Sequence, residues 1–263
     1  MRDPGIEKAI RAAGGLSVLA RKLGIAQPSV SKWSRVPAER VIAVEAVTGV
    51  PRTELRPDLY SLQPGGAFSQ DEIEDDIEIA RARQYGLLAV LLARAPDANL
   101  LAQLAALRGD ASPLGLAHAA LAEAAAGAST ERLEREFFDL FIGIGRGELL
   151  PYASYYLTGF LHQRPLARLR ADLERLGVER ADGCAEPEDH AALLCDVMAG
   201  LAERRFGAES GADRDFFEKH LAPWIGRFFA DLEEARAAQF YRHVARIGRV
   251  FVAVETEAFS LAA

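Results

Sequence analysis

Residues 183–200 read GCAEPEDHAALLCDVMAG and place two Cys, one His and four acidic side chains within eighteen positions. Such residues can hold a metal, move a proton, or simply favour the start of a helix. A zinc site would need Cys184, His190 and Cys195 to converge, with Glu188 or Asp189 as the fourth ligand. Zinc motifs set their ligands in close pairs such as C-x2–4-C, and the spacing here is C-x5-H-x4-C. An acid–base pair of Asp189 and His190 would consist of sequence neighbours, which do not face each other on a helix. The chain has no nucleophile turn of the G-x-S-x-G kind, no P-loop and no dinucleotide fingerprint. The structural reading takes Pro187 as the first helical position, with Glu188 and Asp189 at the positive end of the helix dipole. That accounts for the Pro and the acids and leaves His190 without a reason. No metal, no cofactor and no enzyme activity are expected.

The elements that must position these residues are helical. Half of the 263 residues are hydrophobic, enough for a sizeable core. No apolar run approaches the ~18–20 residues of a membrane span, and the N-terminal MRDPGIEKAI lacks the apolar region of a secretory signal. A soluble cytoplasmic protein without membrane contact is expected, and its two Cys suit a reducing compartment. The net charge of −7 conceals an asymmetry: residues 1–60 hold ten Lys/Arg against six Asp/Glu, or +4, and the remainder 21 against 32, or −11. A small basic module joined to a large acidic one suggests two partners, with nucleic acid a candidate for the basic half.

The boundary falls in LRPDLYSLQPGGAFSQDE, where Pro57, Pro64, Gly65 and Gly66 interrupt any periodicity. This predicts domains at 1–60 and 69–263 joined by a linker at 61–68, with Ser69 and Glu72 as a capping box. Downstream, helical periodicity predicts helices near 70–94, 97–108, 113–126, 130–142, 152–161, 165–176, 187–206, 213–231 and 234–259. Both domains read as all-α, and no internal repeat at a fixed period is evident.

In the basic module, Leu16, Leu19, Ala20 and Leu23 share a helical face, Gly24 breaks the helix, and Val30 and Trp33 lie on the next. A helix of about eight residues, a turn beginning with Gly and a second short helix, with the small Ala20 allowing close approach, make a helix-turn-helix pattern. LARKLGIAQPSVSKW and VPAERVIAVEAVTGVPRTELRPDLY resemble the Cro/YdaS-type helix-turn-helix proteins. The second helix would present Gln27, Ser29, Ser31 and Lys32 to base edges, where Gln pairs with adenine and Lys with guanine. Arg21, Lys22, Arg35 and Arg40 would lie against phosphates. The alternative is a module for protein association whose basic residues are a solvated face. DNA binding would call for a homodimer, since +4 is a weak electrostatic footprint.

EPEDH, followed by a helix containing Met198, is similar to a motif of the TorD/DmsD family of maturation chaperones for molybdenum enzymes. EFFDLFIGIGRGELLPYASYY at 136–156, FFEKHLAPWIGRFFADLE at 216–233 and FYRHVARIGRVFVAVETEAF at 240–259 carry the same resemblance, which spans about 70–263. It implies an all-helical, usually cytoplasmic protein that binds the N-terminal, often twin-arginine, leader of a molybdopterin-containing oxidoreductase until its cofactor is inserted. Asp189 and His190 would then bind the leader. GELLPYASYYLTGFL looks most like members associated with formate dehydrogenases. A leader joins an Arg-bearing region to an apolar segment, so its receptor needs carboxylates beside an apolar groove. Glu186, Glu188 and Asp189 suit the acidic side. Phe141, Tyr152, Tyr155 and Tyr156 suit the apolar side, although an aromatic stripe at helical spacing is more often core. The alternative function is a transcriptional regulator whose helical domain senses a peptide or ligand.

Overall fold

The computed structural model describes residues 3–57, 70–179 and 186–261. The expected linker at 61–68, the Ser69–Glu72 cap and Cys184 lie outside the described residues. The chain divides into two units, Met1–Asp71 and Glu72–Ala263.

In the smaller unit, Asp3 caps α1 (Pro4–Ala13) by accepting the Gly5 N–H at 2.9 Å, and Gly14 ends it with φ 90°. Next come α2 (Leu16–Lys22) and α3 (Gln27–Ser31), joined through Gly24 at φ 65°, a conformation that favours Gly. A 3-10 turn (Ala38–Arg40), α4 (Val41–Thr48) and α5 (Arg52–Leu55) complete it. Ile6, Leu19, Ala20, Val30, Val41, Val44 and Leu55 form its core, with Leu16, Leu23 and Trp33 packed against them. The apolar positions that predicted the helix-turn-helix are the ones that hold it together.

The larger unit comprises α6 (Gln70–Ala93), α7 (Ala98–Ala105), α8 (Pro113–Ala126), α9 (Thr130–Phe137), α10 (Ala153–Thr158), α11 (Arg164–Arg175), α12 (Ala191–Ala202), α13 (Ala212–Phe216), α14 (Ile225–Glu234) and α15 (Tyr241–Leu261). Among the described residues there is no strand, only an isolated antiparallel bridge between Tyr152 and His190. The fold is all-α, as expected. Buried Ala191, Leu194, Cys195, Val197, Met198 and Leu201 cover all sides of α12, the pattern of a helix enclosed by others. Gly248 lets α15 approach α14, since a Cβ there would sit 2.3 Å from the Phe229 ring. The Arg81 guanidinium ties α6 to α15 through Glu255, which is 2% exposed, at 2.8 Å, and reaches Asp213 at 2.9 Å.

Several helix limits differ from expectation, each for a non-local reason. The helix expected at 187–206 begins only at Ala191, so Pro187 is not its first residue. Asp189 O accepts the Ala153 N–H at 3.0 Å and Ala191 donates to Pro151 O at 2.8 Å, which holds the intervening backbone extended. The helix expected from 234 begins at Tyr241. Glu136 accepts the N–H groups of Gln239, Phe240 and Tyr241, while Glu148 accepts those of Arg236 and Ala237. Two distant carboxylates thus satisfy the turn that a continuous helix would otherwise replace.

The helices expected at 130–142 and 213–231 each pass into a π-helical turn, at Phe138–Ile142 and Phe217–Leu221. The two segments are REFFDLFI (135–142) and RDFFEKHL (214–221), and in both the π turn begins at the second Phe.

Candidate functional site

The Tyr152–His190 bridge joins the start of α10 to the start of α12 and gathers five of the expected residues. Asp189 is 1% exposed, and its Oδ2 accepts the Ser154 N–H at 2.8 Å in the first turn of α10. A carboxylate there meets the positive end of that helix. His190 is the N-cap of α12: its Nδ1 accepts the Ala192 N–H at 3.1 Å, so the proton of the neutral ring sits on Nε2. Burial pushes its pKa below the ordinary 6.5, opposed by the charges of Glu186 and Asp189. The Tyr152 ring meets His190 edge-on at 5.1 Å, and the Tyr152 hydroxyl donates to Glu186. Burial, then Glu186, raises the Tyr152 pKa. Glu188 is paired with Arg170 at 2.8 Å.

Two buried polar atoms here have no hydrogen-bond partner among the described residues, Asp189 Oδ1 and Ser154 Oγ. Asp189 lines a cleft of about 430 Å³ with Ala153, Leu157, Leu169, Lys219 and His220. His220 Nε2 lies 2.7 Å from Asp172 Oδ2 on the same cleft. Burial lowers the His220 pKa and the Asp172 hydrogen bond opposes this. A carboxylate oxygen buried without a donor is costly.

Tyr155 and Tyr156 face elsewhere. Tyr156 is buried against Trp224 and Phe228, and its hydroxyl donates to Asp231 at 2.9 Å. Both tyrosines line a different cleft, with Arg146 and Arg227. Phe141 is half-buried and packs on Phe137 and Tyr241 at ring distances of 5.0 and 5.6 Å. Cys195 is buried within α12, where burial pushes its thiol up to about 12.

Sequence reading did not single out Asp172, Lys219 and His220, which line the Asp189 cleft. One signal was available for the last two: they occupy the Leu140 and Phe141 positions of the recurring segment, where polar residues replace apolar ones.

In the smaller unit, α3 exposes Gln27, Ser29, Ser31 and Lys32 while Val30 points into the core. Arg21, Lys22, Arg35 and Arg40 are also exposed.

Residues 107–230 match the model of the nitrate reductase delta subunit family, and residues 6–64 match that of the bacterial toxin YdaS. A chaperone protein TorD of Vibrio cholerae is 32% identical over 129 residues, covering 46% of this chain and 59% of the relative. The match thus spans about three-fifths of the relative's length. The chaperone protein TorD of Shewanella loihica is 29% identical over 202 residues, covering 68% of this chain and 92% of its own. A crystal structure described as that of a redox enzyme maturation protein from Archaeoglobus fulgidus aligns with TM-score 0.43 at 20% identity, covering 65% of this chain and 93% of that one.

Proposed function

We propose that this chain, which carries a TorD-type domain behind a YdaS-like helix-turn-helix module, binds the N-terminal leader of a molybdopterin-dependent oxidoreductase until its cofactor is inserted. In this reading the protein is a cytoplasmic chaperone and not an enzyme. Its domains are 1–60 and 69–263, and the client suggested by GELLPYASYYLTGFL is a formate dehydrogenase. The observation that carries the reading is the buried Asp189, whose Oδ1 has no donor among the described residues and which lines a cleft walled by Ala153, Leu157 and Leu169. An Arg or backbone N–H of a leader supplies that donor while its apolar segment covers the wall. Among the described residues no helix is long and apolar enough to cross a membrane.

Calorimetry with the full chain and a leader peptide tests this. Asp189→Ala and His190→Ala should each weaken binding by about 1–3 kcal/mol, the range for charge-assisted hydrogen bonds. Wild-type affinity in both variants would remove them from the site.

The exposed residues of α3 favour a second activity, DNA reading by a homodimer at half-sites about one helical turn apart. Gln27→Ala and Lys32→Ala should relax base preference, whereas Arg21→Ala should weaken binding to all sequences and reduce its salt dependence. Selection from random duplexes that enriches no motif at physiological salt would dismiss sequence reading. Joining both activities in one chain lets client supply bias promoter occupancy. Saturating leader that leaves operator affinity unchanged would show two independent functions.

A further inference from the structure

The cleft on the other face of α10 has a volume of about 330 Å³ and is lined by Arg146, Leu149, Tyr155, Tyr156, Gly159 and Arg227, with Glu148 and Asp231 at its polar side. The Arg146 guanidinium lies 5.3 Å from the Tyr155 ring centre and donates to the Tyr155 hydroxyl at 2.8 Å. Arg227 lies 5.5 Å from the Tyr156 ring centre and donates to the Tyr156 carbonyl at 2.7 Å. A guanidinium has five N–H donors. Each of these two uses one, and neither makes an ion pair among the described residues. The carboxylates of the cleft are already engaged, Glu148 by the N–H groups of Arg236 and Ala237, which hold its pKa below the usual range, and Asp231 by the Tyr156 hydroxyl. A cation–π contact with tyrosine orients a guanidinium without neutralising it.

We propose that Arg146 and Arg227 bind a carboxylate side chain of the client leader, placed C-terminal to its apolar segment. This rests on the leader reading above and adds a polarity to it. Ala153 and Leu157, four residues apart on α10, line the Asp189 cleft, whereas Tyr155, Tyr156 and Gly159 line the arginine cleft. Exposed Leu157, Phe160 and Leu161 follow along the same short stretch. An extended segment crossing the end of α10 meets an acceptor, then apolar side chains, then two guanidiniums. Leaders carry their basic region first and their apolar region second, so the basic end sits at Asp189 and the acid follows the apolar run. A carboxylate is the anion that an unmodified leader peptide carries, and each guanidinium fork can hold it bidentately.

The test uses the full chain and two synthetic peptides, each with an Arg-bearing start and an apolar run of about ten residues, ending in Glu or in Gln. Calorimetry should show the Glu peptide binding about 3- to 10-fold more tightly, the scale of partly exposed ion pairs. In an Arg146→Gln/Arg227→Gln variant with an unchanged unfolding midpoint, the Glu peptide should fall to the Gln peptide's affinity and the Gln peptide should not change. Arg146→Lys keeps the charge but loses the fork and should fall between. Equal affinity of both peptides for the wild-type chain, or equal loss of both in the double variant, overturns the proposal while an Asp189 dependence leaves the leader reading intact. Failure of both peptides to bind the wild-type chain overturns the two together.

Discussion

On one face of α10 the charged group is Asp189, 1% exposed and held by the Ser154 N–H; on the other, Arg146 and Arg227 are exposed and lean on tyrosine rings. A buried carboxylate survives only where backbone donors are organised around it, and here the 151–153/189–191 bridge does that organising. An exposed guanidinium needs no such framework. On the proposed function the acidic face would couple binding to stability, and the basic face would leave them separate.

Asp189→Ala should break that comparison hardest. It strands a buried N–H on Ser154 and should cost about 1–3 kcal/mol of stability in addition to its effect on binding. Asp189→Asn keeps an acceptor for Ser154 and should unfold closer to wild type while still losing affinity, as denaturant titration would show. Next, His190→Ala removes the cap of α12 and should cost about 1 kcal/mol. His190→Ser restores a cap, so a stable His190→Ser chain with weakened peptide binding would assign the imidazole to the site, and one with full binding would leave it a cap.

Acid should separate the two faces as well. The pKa values of His190 and His220 lie below 6.5 in the folded chain, both chiefly through burial. The unfolded chain then binds more protons below about pH 6.5, so stability falls as pH drops through that point towards the folded pKa values. Unfolding midpoints measured between pH 7.5 and 5 should decline less in a His190→Ser/His220→Gln variant. The smallest effect is expected on the basic face, where Arg146→Gln should change stability by less than about 0.5 kcal/mol. A loss as large as that of Asp189→Ala would erase the contrast.

The helix-turn-helix was legible because its signals are local: Leu19, Ala20 and Val30 enter the core at helical spacing, and Gly24 turns the chain between them. α7, α8 and α11 were legible for the same reason, with Asp97 and Ser112 capping the first two. The start of α12 was not, because Pro187, Glu188 and Asp189 satisfy every local rule for a first turn. The residues that overrule them, Pro151 and Ala153, lie far away in the chain. Nor was the split of the tyrosines. Tyr152, Tyr155 and Tyr156 form one aromatic cluster in sequence, yet only Tyr152 joins the His190 group.

By itself the sequence determined the all-α class, the two resemblances and the weight of EPEDH, since periodicity, turn residues and motif spacing are carried by neighbouring residues. Tertiary structure decided which chemistry Asp189 and His190 meet. It buried one carboxylate oxygen without a donor among the described residues, made the histidine a cap, and set two arginines on tyrosines across the helix. Burial and hydrogen-bond pairing depend on groups brought together across long stretches of chain, and no local pattern encodes those partners.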